Sequence, residues 1–150
     1  MSWNDLRKGR FSQQHGLYFV TCTVNRRLRL LEDPSCAALL VKELHHIERC
    51  KLGDWIAWVV MPDHFHGLLS LGNKPLAYVM RHLKGRSARL LNSHLQRTGA
   101  FWQPGFYDHA LRRTEAVEPI VYYICTNPIR AGLVSCVEEW RYVYPRELGA

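Results

Sequence analysis

The sequence predicts an α+β fold: a ferredoxin-like βαββαβ antiparallel sheet with helices on one face. First, segments of alternating apolar and polar residues are interleaved with segments of helical periodicity, in the order strand, helix, strand, strand, helix, strand, helix. Second, a two-residue Pro-Asp turn separates the second and third strands, which is typical of an antiparallel hairpin. Third, a chain of 150 residues suffices for one sizeable core, so we expect a single domain over residues 1–150.

The first strand and the first helix are predicted in the N-terminal third of the chain. β-forming residues alternate over residues 17–25, which indicates a strand. Asp33 and Pro34 then begin a segment whose apolar residues recur at helical spacing and which ends near Gly53. This segment is the predicted first helix.

The central hairpin and the second helix follow. Residues 55–61 and His64–Leu71 have the composition of strands, and the turn Pro62-Asp63 joins them into the predicted hairpin. Lys74 and Pro75 begin a longer segment with an apolar stripe and several basic residues on its other positions, ending near Arg97. This segment is the predicted second helix.

A short strand and a last helix complete the predicted fold. A loop over residues 99–105 precedes a fourth strand over residues 106–111. Residues 114–126 are predicted to be helical, with Thr114 as the N-cap and Pro128 as the residue that ends or kinks the helix. The aromatic segment after Gly132 has too weak a pattern to assign.

The balance of charge favours a polyanionic partner such as nucleic acid. Lys and Arg outnumber Asp and Glu by 20 to 13, which gives a formal net charge of +7. A basic surface without such a partner is the alternative. No apolar run is long enough for a membrane span, and the N-terminus lacks the order of a signal peptide, so we expect a cytoplasmic, nucleoid-associated protein with no membrane partner.

The cysteines do not form a disulfide or metal-binding pattern. The sequence contains Cys22, Cys36, Cys50, Cys125 and Cys136, with no CxxC pair. An odd, widely spaced set is typical of reduced core thiols. The grouping of Cys36 and Cys50 with two histidines between them matches no common zinc spacing, so we do not expect a zinc cluster there.

His64 and His66 are the most informative residues of the sequence. They lie two residues apart at the start of a predicted strand, so their side chains share one face. Paired imidazoles on a rigid strand are suited to hold a divalent metal, although an incidental pair is the alternative. Farther along the chain, Tyr123 and Asn127 are spaced by one helical turn, which places them on one helix face.

These motifs resemble the single-tyrosine HUH transposases, and among them the REP-associated tyrosine transposases related to the IS200-like elements. The resemblance spans nearly the whole chain, because further matches occur at residues 18–21 and 139–142. The main matching stretches are residues 57–66, 80–86, 101–109, 123–128 and 130–134. Several ordered motifs are more specific than a single one.

The resemblance implies an active site and a reaction. His64 and His66 match the metal ligands of the family, Asn127 stands where members carry the third ligand, and Tyr123 matches the nucleophile. The implied activity is a single-stranded DNA endonuclease and strand transferase that acts on hairpin-forming DNA through a 5′-phosphotyrosine. Nitrogen and amide oxygen ligands without thiolate favour Mg²⁺ or Mn²⁺. The family allows a monomer or a homodimer.

Two of these assignments have alternatives within the sequence. Tyr122 is adjacent to Tyr123 and would point about 100° away on a helix, so only one of the two tyrosines can face the histidines. Asn127 precedes a proline, which disfavours helical geometry, so a role as a helix cap or turn residue is its alternative.

Several further residues are candidates for contacts with DNA. For the basic residues the alternative is a solvated helix face, for the tryptophan a place in the core, and for the histidine a structural hydrogen bond. The candidates are Arg81, Lys84, Arg86, Arg89, Trp102 and His109.

Two other functions remain open from the sequence. A non-catalytic module that binds single-stranded nucleic acid would share the basic charge and the aromatic residues. A metal-dependent hydrolase, in which water attacks instead of a tyrosine, would cleave DNA without a covalent intermediate.

Overall fold

The computed structural model describes residues 15–148 and has the predicted α+β architecture. The strands and helices follow the predicted order, with one further strand near the C-terminus. The strands are β1 (Leu17–Thr23), β2 (Gly53–Met61), β3 (His64–Leu71), β4 (Tyr107–Ala110) and β5 (Val143–Tyr144). The helices are α1 (Pro34–Arg49), α2 (Leu76–Leu95), α3 (Glu118–Cys125) and α4 (Asn127–Arg130). The expectation about a signal peptide concerns residues outside the described part of the chain.

The five strands form one sheet in the order β4-β1-β3-β2-β5, and every neighbouring pair is antiparallel. The first four strands have the predicted βαββαβ connectivity, so the fold class is confirmed. Strand β5 was not predicted because it contains only two residues, and its pairing with Trp58 and Val59 of β2 is a tertiary contact. Among the described helices, none is long and apolar enough to span a membrane.

Local sequence signals account for the ends of the two long helices. Asp33 is the N-cap of α1, and its side chain accepts a hydrogen bond from the backbone N–H of Ser35, while Pro34 occupies the first turn. Helix α2 ends where Gln96 adopts a left-handed conformation with φ of 54°. The predicted limits of both helices were therefore correct to within a few residues.

Helices cover both faces of the sheet, which corrects the prediction of helices on one face. Alternate residues of β2 point to opposite sides: Trp58 and Val60 lie in the core beneath α1 and α2. Val59 and Met61 lie in a second apolar cluster with Ile124 of α3. Since both faces of the central strands are apolar, each one needs a cover. The first two helices share one face as predicted, whereas α3 lies on the other.

Helix α3 is shorter than predicted. It begins at Glu118, so Thr114 is not its N-cap. Residues before it form a turn in which the carboxylate of Glu115 accepts a hydrogen bond from the backbone N–H of Arg112. Glu115 lies before the helix and thus caps a turn. As predicted, the helix breaks before Pro128: α3 ends at Cys125, Thr126 departs from helical geometry with φ of −91° and ψ of 1°, and α4 begins at Asn127.

Candidate active site

The two predicted metal ligands lie on the face of the sheet that α3 covers. His64 and His66 alternate with Phe65, which points into the core beneath α1 and α2. In the ladder between β1 and β3, Thr21 is the partner of His66 and Thr23 is the partner of His64. The antiparallel register therefore sets a threonine beside each histidine.

The two imidazole rings converge through their Nε2 atoms, which are 3.2 Å apart. Their Nδ1 atoms face hydrogen-bond partners: that of His64 lies 2.6 Å from Asp63 Oδ1, and that of His66 lies 2.7 Å from Thr21 Oγ1. With the proton on Nδ1 in each ring, both Nε2 lone pairs are free. A metal about 2.1 Å from each nitrogen requires a separation of about 3.0–3.4 Å, so the pair fits a divalent ion.

The surroundings keep His66 neutral. Burial lowers the pKa of His66 to about 3, and the charges of His64 and Arg130 act in the same direction. For Asp63, burial alone would raise the pKa, but the hydrogen bond from His64 and the charge of Arg27 hold it below its usual range. His66 therefore offers a neutral nitrogen to a metal, and the carboxylate of Asp63 orients the imidazole of His64 beside it.

Tyr123 is the tyrosine that lies beside the histidines. Its ring centroid is 6.0 Å from that of His66, and Phe19 contacts both rings. The residue is 47% exposed. Tyr122, which is 62% exposed, lines a separate apolar groove with Leu148. Of the two tyrosines, Tyr123 is therefore the one that lies beside His66, and its role as the nucleophile remains a prediction.

Arg130 also belongs to this site, and sequence reasoning assigned it no role. Its guanidinium carbon lies 4.1 Å from the centre of the Tyr123 ring, and its Nη2 donates to the backbone carbonyl of Tyr123 over 2.6 Å. Its Nη1 donates to Oγ1 of the buried Thr126, also over 2.6 Å. The sequence offered one signal for Arg130: it lies one helical turn beyond the predicted helix that carries Tyr123, at the start of the matching stretch 130–134.

Asn127 is the first residue of α4 and is half-buried. Its backbone carbonyl accepts a hydrogen bond from Ala131 N–H over 3.0 Å, so it begins a helical turn of which Thr126, and not Asn127, is the N-cap. It lies directly after the break between the two helices, with Tyr123 in α3 before it and Arg130 at the end of α4 after it. Its role as a third metal ligand remains a prediction.

An open groove of about 640 Å³ runs along the sheet beside His66 and Tyr123. His109 lies on its wall, where His109 Nε2 is 3.0 Å from a carboxylate oxygen of Glu115. The groove therefore combines a predicted ligand, the predicted nucleophile and a histidine–carboxylate pair. Its lining residues are Phe19, Thr21, Thr23, Arg27, His66, Tyr107, His109, Glu115, Pro119, Ile120 and Tyr123.

The other candidates for DNA contact lie away from this groove, on or near α2. Trp102 is 5% exposed and donates its indole N–H to Ser87 Oγ over 2.9 Å, so it is a core residue and presents no face to a base. Lys84 donates to the backbone carbonyls of Gln103 and Gly105, which holds the loop before β4.

The arginines of α2 differ from one another. Arg86 pairs with the buried carboxylate of Glu43 over 2.7 Å, so a structural contact already engages its guanidinium. Arg81 and Arg89 are exposed and remain available to a polyanion. Because α2 covers the opposite face of the sheet, these two residues do not border the groove beside His66.

Known proteins resemble this chain in sequence and in structure. The sequence model described as "Transposase IS200 like" matches residues 12–127. A REP-associated tyrosine transposase of Escherichia coli (strain K12) is 29% identical over 136 residues, which are 89% of this chain and 78% of the relative. A solved REP-associated tyrosine transposase bound to a REP hairpin is 28% identical, with a TM-score of 0.74 over 95% of this chain and 82% of that one.

Proposed function

Because this chain belongs to the IS200-like transposase family, we propose that it is a metal-dependent single-stranded DNA endonuclease and strand transferase that acts through a 5′-phosphotyrosine intermediate. The observation that carries this proposal is that the exposed Tyr123 has its ring beside that of His66, whose Nε2 atom is paired with the Nε2 atom of His64. The tyrosine and the histidines come from distant parts of the sequence, and a binding module would not need them together.

His64 and His66 would hold the metal, with Asn127 as the third ligand. Two neutral imidazoles and an amide oxygen favour Mg²⁺ or Mn²⁺ when substrate phosphate completes the coordination. When bound, the ion supplies electrostatic stabilisation to the phosphate oxygens as charge develops on them. The carboxylate of Asp63 and the hydroxyl of Thr21 hold the rings of His64 and His66 in place through their Nδ1 atoms.

Tyr123 performs the covalent step. Its hydroxyl oxygen attacks the phosphorus of the scissile phosphodiester, the bond from phosphorus to the 3′ oxygen breaks, and a 5′-phosphotyrosine forms. The phenol proton leaves to water in the open groove or to the pair of His109 and Glu115 on its wall. The 3′ oxygen takes up a proton to become a free hydroxyl, and a 3′-hydroxyl of another DNA end can reverse the reaction.

Arg130 positions the nucleophile. Its guanidinium stacks on the Tyr123 ring and bonds the backbone of the same residue, which restricts the orientation of the phenol. Two of its nitrogens have partners in the protein, and the exposed side chain has further N–H groups for a DNA phosphate. Orientation and charge therefore come from the same side chain.

The substrate we propose is a single-stranded hairpin with an unpaired cleavage site. The similar solved transposase is bound to a REP hairpin, and an open groove on a chain with a formal net charge of +7 suits a flexible polyanion. A reaction on chromosomal repeats takes place in the cytoplasm, at the nucleoid.

The test is covalent trapping on a hairpin oligonucleotide with an unpaired 5′ flank in the presence of Mn²⁺. The wild-type chain is expected to form a protein–DNA adduct that denaturing gels resolve, and EDTA should abolish it. Tyr123→Phe should form none, because phenylalanine has no hydroxyl to attack with, whereas the matched control Tyr122→Phe should retain the adduct.

The same experiment distinguishes the other two functions. A non-catalytic binding module would retain the oligonucleotide without cleavage, and binding would be indifferent to EDTA and to His64→Ala. A hydrolase that uses water would cleave the DNA in the Tyr123→Phe variant and would never yield an adduct. Either result would overturn the proposal.

A further inference from the structure

Three side chains with different metal-binding atoms meet where the start of α1 lies beside the end of α2. A carboxylate oxygen of Asp33, the sulfur of Cys36 and a ring nitrogen of His94 all lie within 4.8 Å of one another. The residues are distant in sequence, so only the packing of α1 against α2 brings His94 to the other two. This Asp33–Cys36–His94 cluster is separate from the histidine pair on β3.

One member of the cluster is fixed and the other two are adjustable. Cys36 is 0% exposed and packs in the core, whereas Asp33 and His94 are exposed. Asp33 Oδ1 accepts the N-cap hydrogen bond from Ser35 over 2.9 Å, which leaves the other carboxylate oxygen for a ligand. Rotations about the side-chain bonds of two exposed residues can therefore close the cluster on the sulfur without moving a helix.

The distances required for zinc are within that range of adjustment. Zinc binds sulfur at about 2.3 Å and nitrogen or oxygen at about 2.0–2.2 Å, so tetrahedral ligands lie about 3.3–3.7 Å from one another. The cluster needs a contraction of at most about 1.5 Å at each contact to reach these values. A thiolate, an imidazole and a carboxylate favour Zn²⁺ over the hard ions Mg²⁺ and Mn²⁺.

We propose that Asp33, Cys36 and His94 form a second metal site, specific for Zn²⁺, in which water completes a tetrahedral coordination. The site is structural, since it ties the first turn of α1 to the last turn of α2. It lies on the side of the sheet opposite to His64 and His66, and its ligand chemistry differs from theirs.

The proposed site also adjoins the turn that carries the histidine pair. Two residues before Asp33, Leu31 donates its backbone N–H to the carbonyl of Pro62 over 2.9 Å, and Val24 N–H donates to that of Asp63 over 2.8 Å. Fixing the start of α1 would therefore also fix a segment that is hydrogen-bonded to the Pro62-Asp63 turn. This inference does not depend on the proposed DNA chemistry.

The test is titration of the metal-free full chain with Co²⁺, which replaces Zn²⁺ and reports sulfur ligation through a near-ultraviolet charge-transfer band. The wild-type chain should show this band at one Co²⁺ per chain, and Zn²⁺ should displace the Co²⁺. Cys36→Ser should lose the band, and His94→Ala should weaken Zn²⁺ binding at least about tenfold in competition with a chromophoric chelator.

Two controls make the result decisive. Cys50→Ser removes an exposed thiol from the other end of α1, and a double variant with His64→Ala and His66→Ala removes the histidine pair; both should keep the band. If Cys36→Ser does not fold, as judged by circular dichroism, the exposed His94→Ala variant decides. The proposal would be overturned if His94→Ala kept the band and bound Zn²⁺ with unchanged affinity. Loss of the band in Cys50→Ser would overturn it as well.

Discussion

At the scale of single residues, the site consists of groups whose partners set their chemical state. His66 is neutral because it is buried beside other positive groups, and its Nδ1 faces Thr21. His64 is oriented by the carboxylate of Asp63. In the proposed site, these hydrogen bonds at Nδ1 leave the Nε2 atoms available to a metal. Two histidines close together in sequence do not by themselves ensure this.

The role of Arg130 is testable by separating DNA affinity from the rate of the covalent step. Arg130→Lys keeps the positive charge but loses the planar group that stacks on Tyr123 and bonds its carbonyl. We expect the single-turnover rate of adduct formation to fall at least about tenfold while the Kd for DNA stays within about threefold.

The control for this prediction is Arg49→Ala, which removes an exposed arginine at the end of α1, on the opposite face of the sheet, and should leave the rate unchanged. If Arg130→Lys weakens DNA binding as much as it slows adduct formation, Arg130 is a phosphate contact and not a positioning residue.

At the scale of elements, β3 is the strand on which both the core and the site depend. It pairs with β1 and β2 over its whole length, and its alternate residues serve the core on one face and the site on the other. Gly67 follows His66 and faces the core, where a Cβ atom would lie 2.4 Å from the indole ring of Trp55. Glycine is required here because the indole occupies the space.

A pair of glycine substitutions tests this packing. Gly67→Ala should lower the free energy of unfolding by about 1–3 kcal/mol, since Trp55 must move. Gly85→Ala, at an exposed position of α2 with no atom within 4 Å of the added Cβ, should raise it by about 0.5–1 kcal/mol. Urea denaturation measures both, and equal effects would contradict this description of the strand.

At the scale of the whole molecule, the sheet separates two helical layers. Helices α1 and α2 build the larger core, with their own hydrogen-bonded and ionic contacts such as Arg86 with Glu43. Helix α3 carries Tyr123 to the opposite face, next to His66 of the same chain. A single chain therefore contains all the groups that we assign to the covalent step.

This arrangement makes a prediction about subunit mixing. A chain with His64→Ala and His66→Ala keeps its tyrosine, and a Tyr123→Phe chain keeps its histidines. Because the site forms within one chain, a mixture of the two variants should give no adduct in the trapping assay. Recovery of the adduct on mixing would show instead that the tyrosine acts on the metal site of a partner in a dimer.

Much of the fold and the central residues of the site could be predicted from sequence. The alternation in β1 and β3, the N-cap at Asp33 and the spacing of His64 and His66 are local signals, which depend on neighbours a few residues apart. The order of these elements led to the correct fold class. The proposed role of Tyr123 also comes from the sequence, through its motif and not through its surroundings, and it remains a prediction.

The remaining features depend on contacts between distant segments. Composition cannot tell that Trp102 is buried against Ser87, that Lys84 holds a loop, or that α3 covers the second face of the sheet. The same is true of Arg130 above Tyr123 and of His94 beside Cys36.

The sequence alone therefore determined the order of the elements and the residue types that carry the chemistry, because periodicity and caps act over a few residues. Only the tertiary structure decided which of those side chains meet, because burial and mutual approach depend on how whole elements pack. His64 and His66 are neighbours in the sequence as well as in the fold, whereas the contact of His66 with Tyr123 exists only in the folded chain.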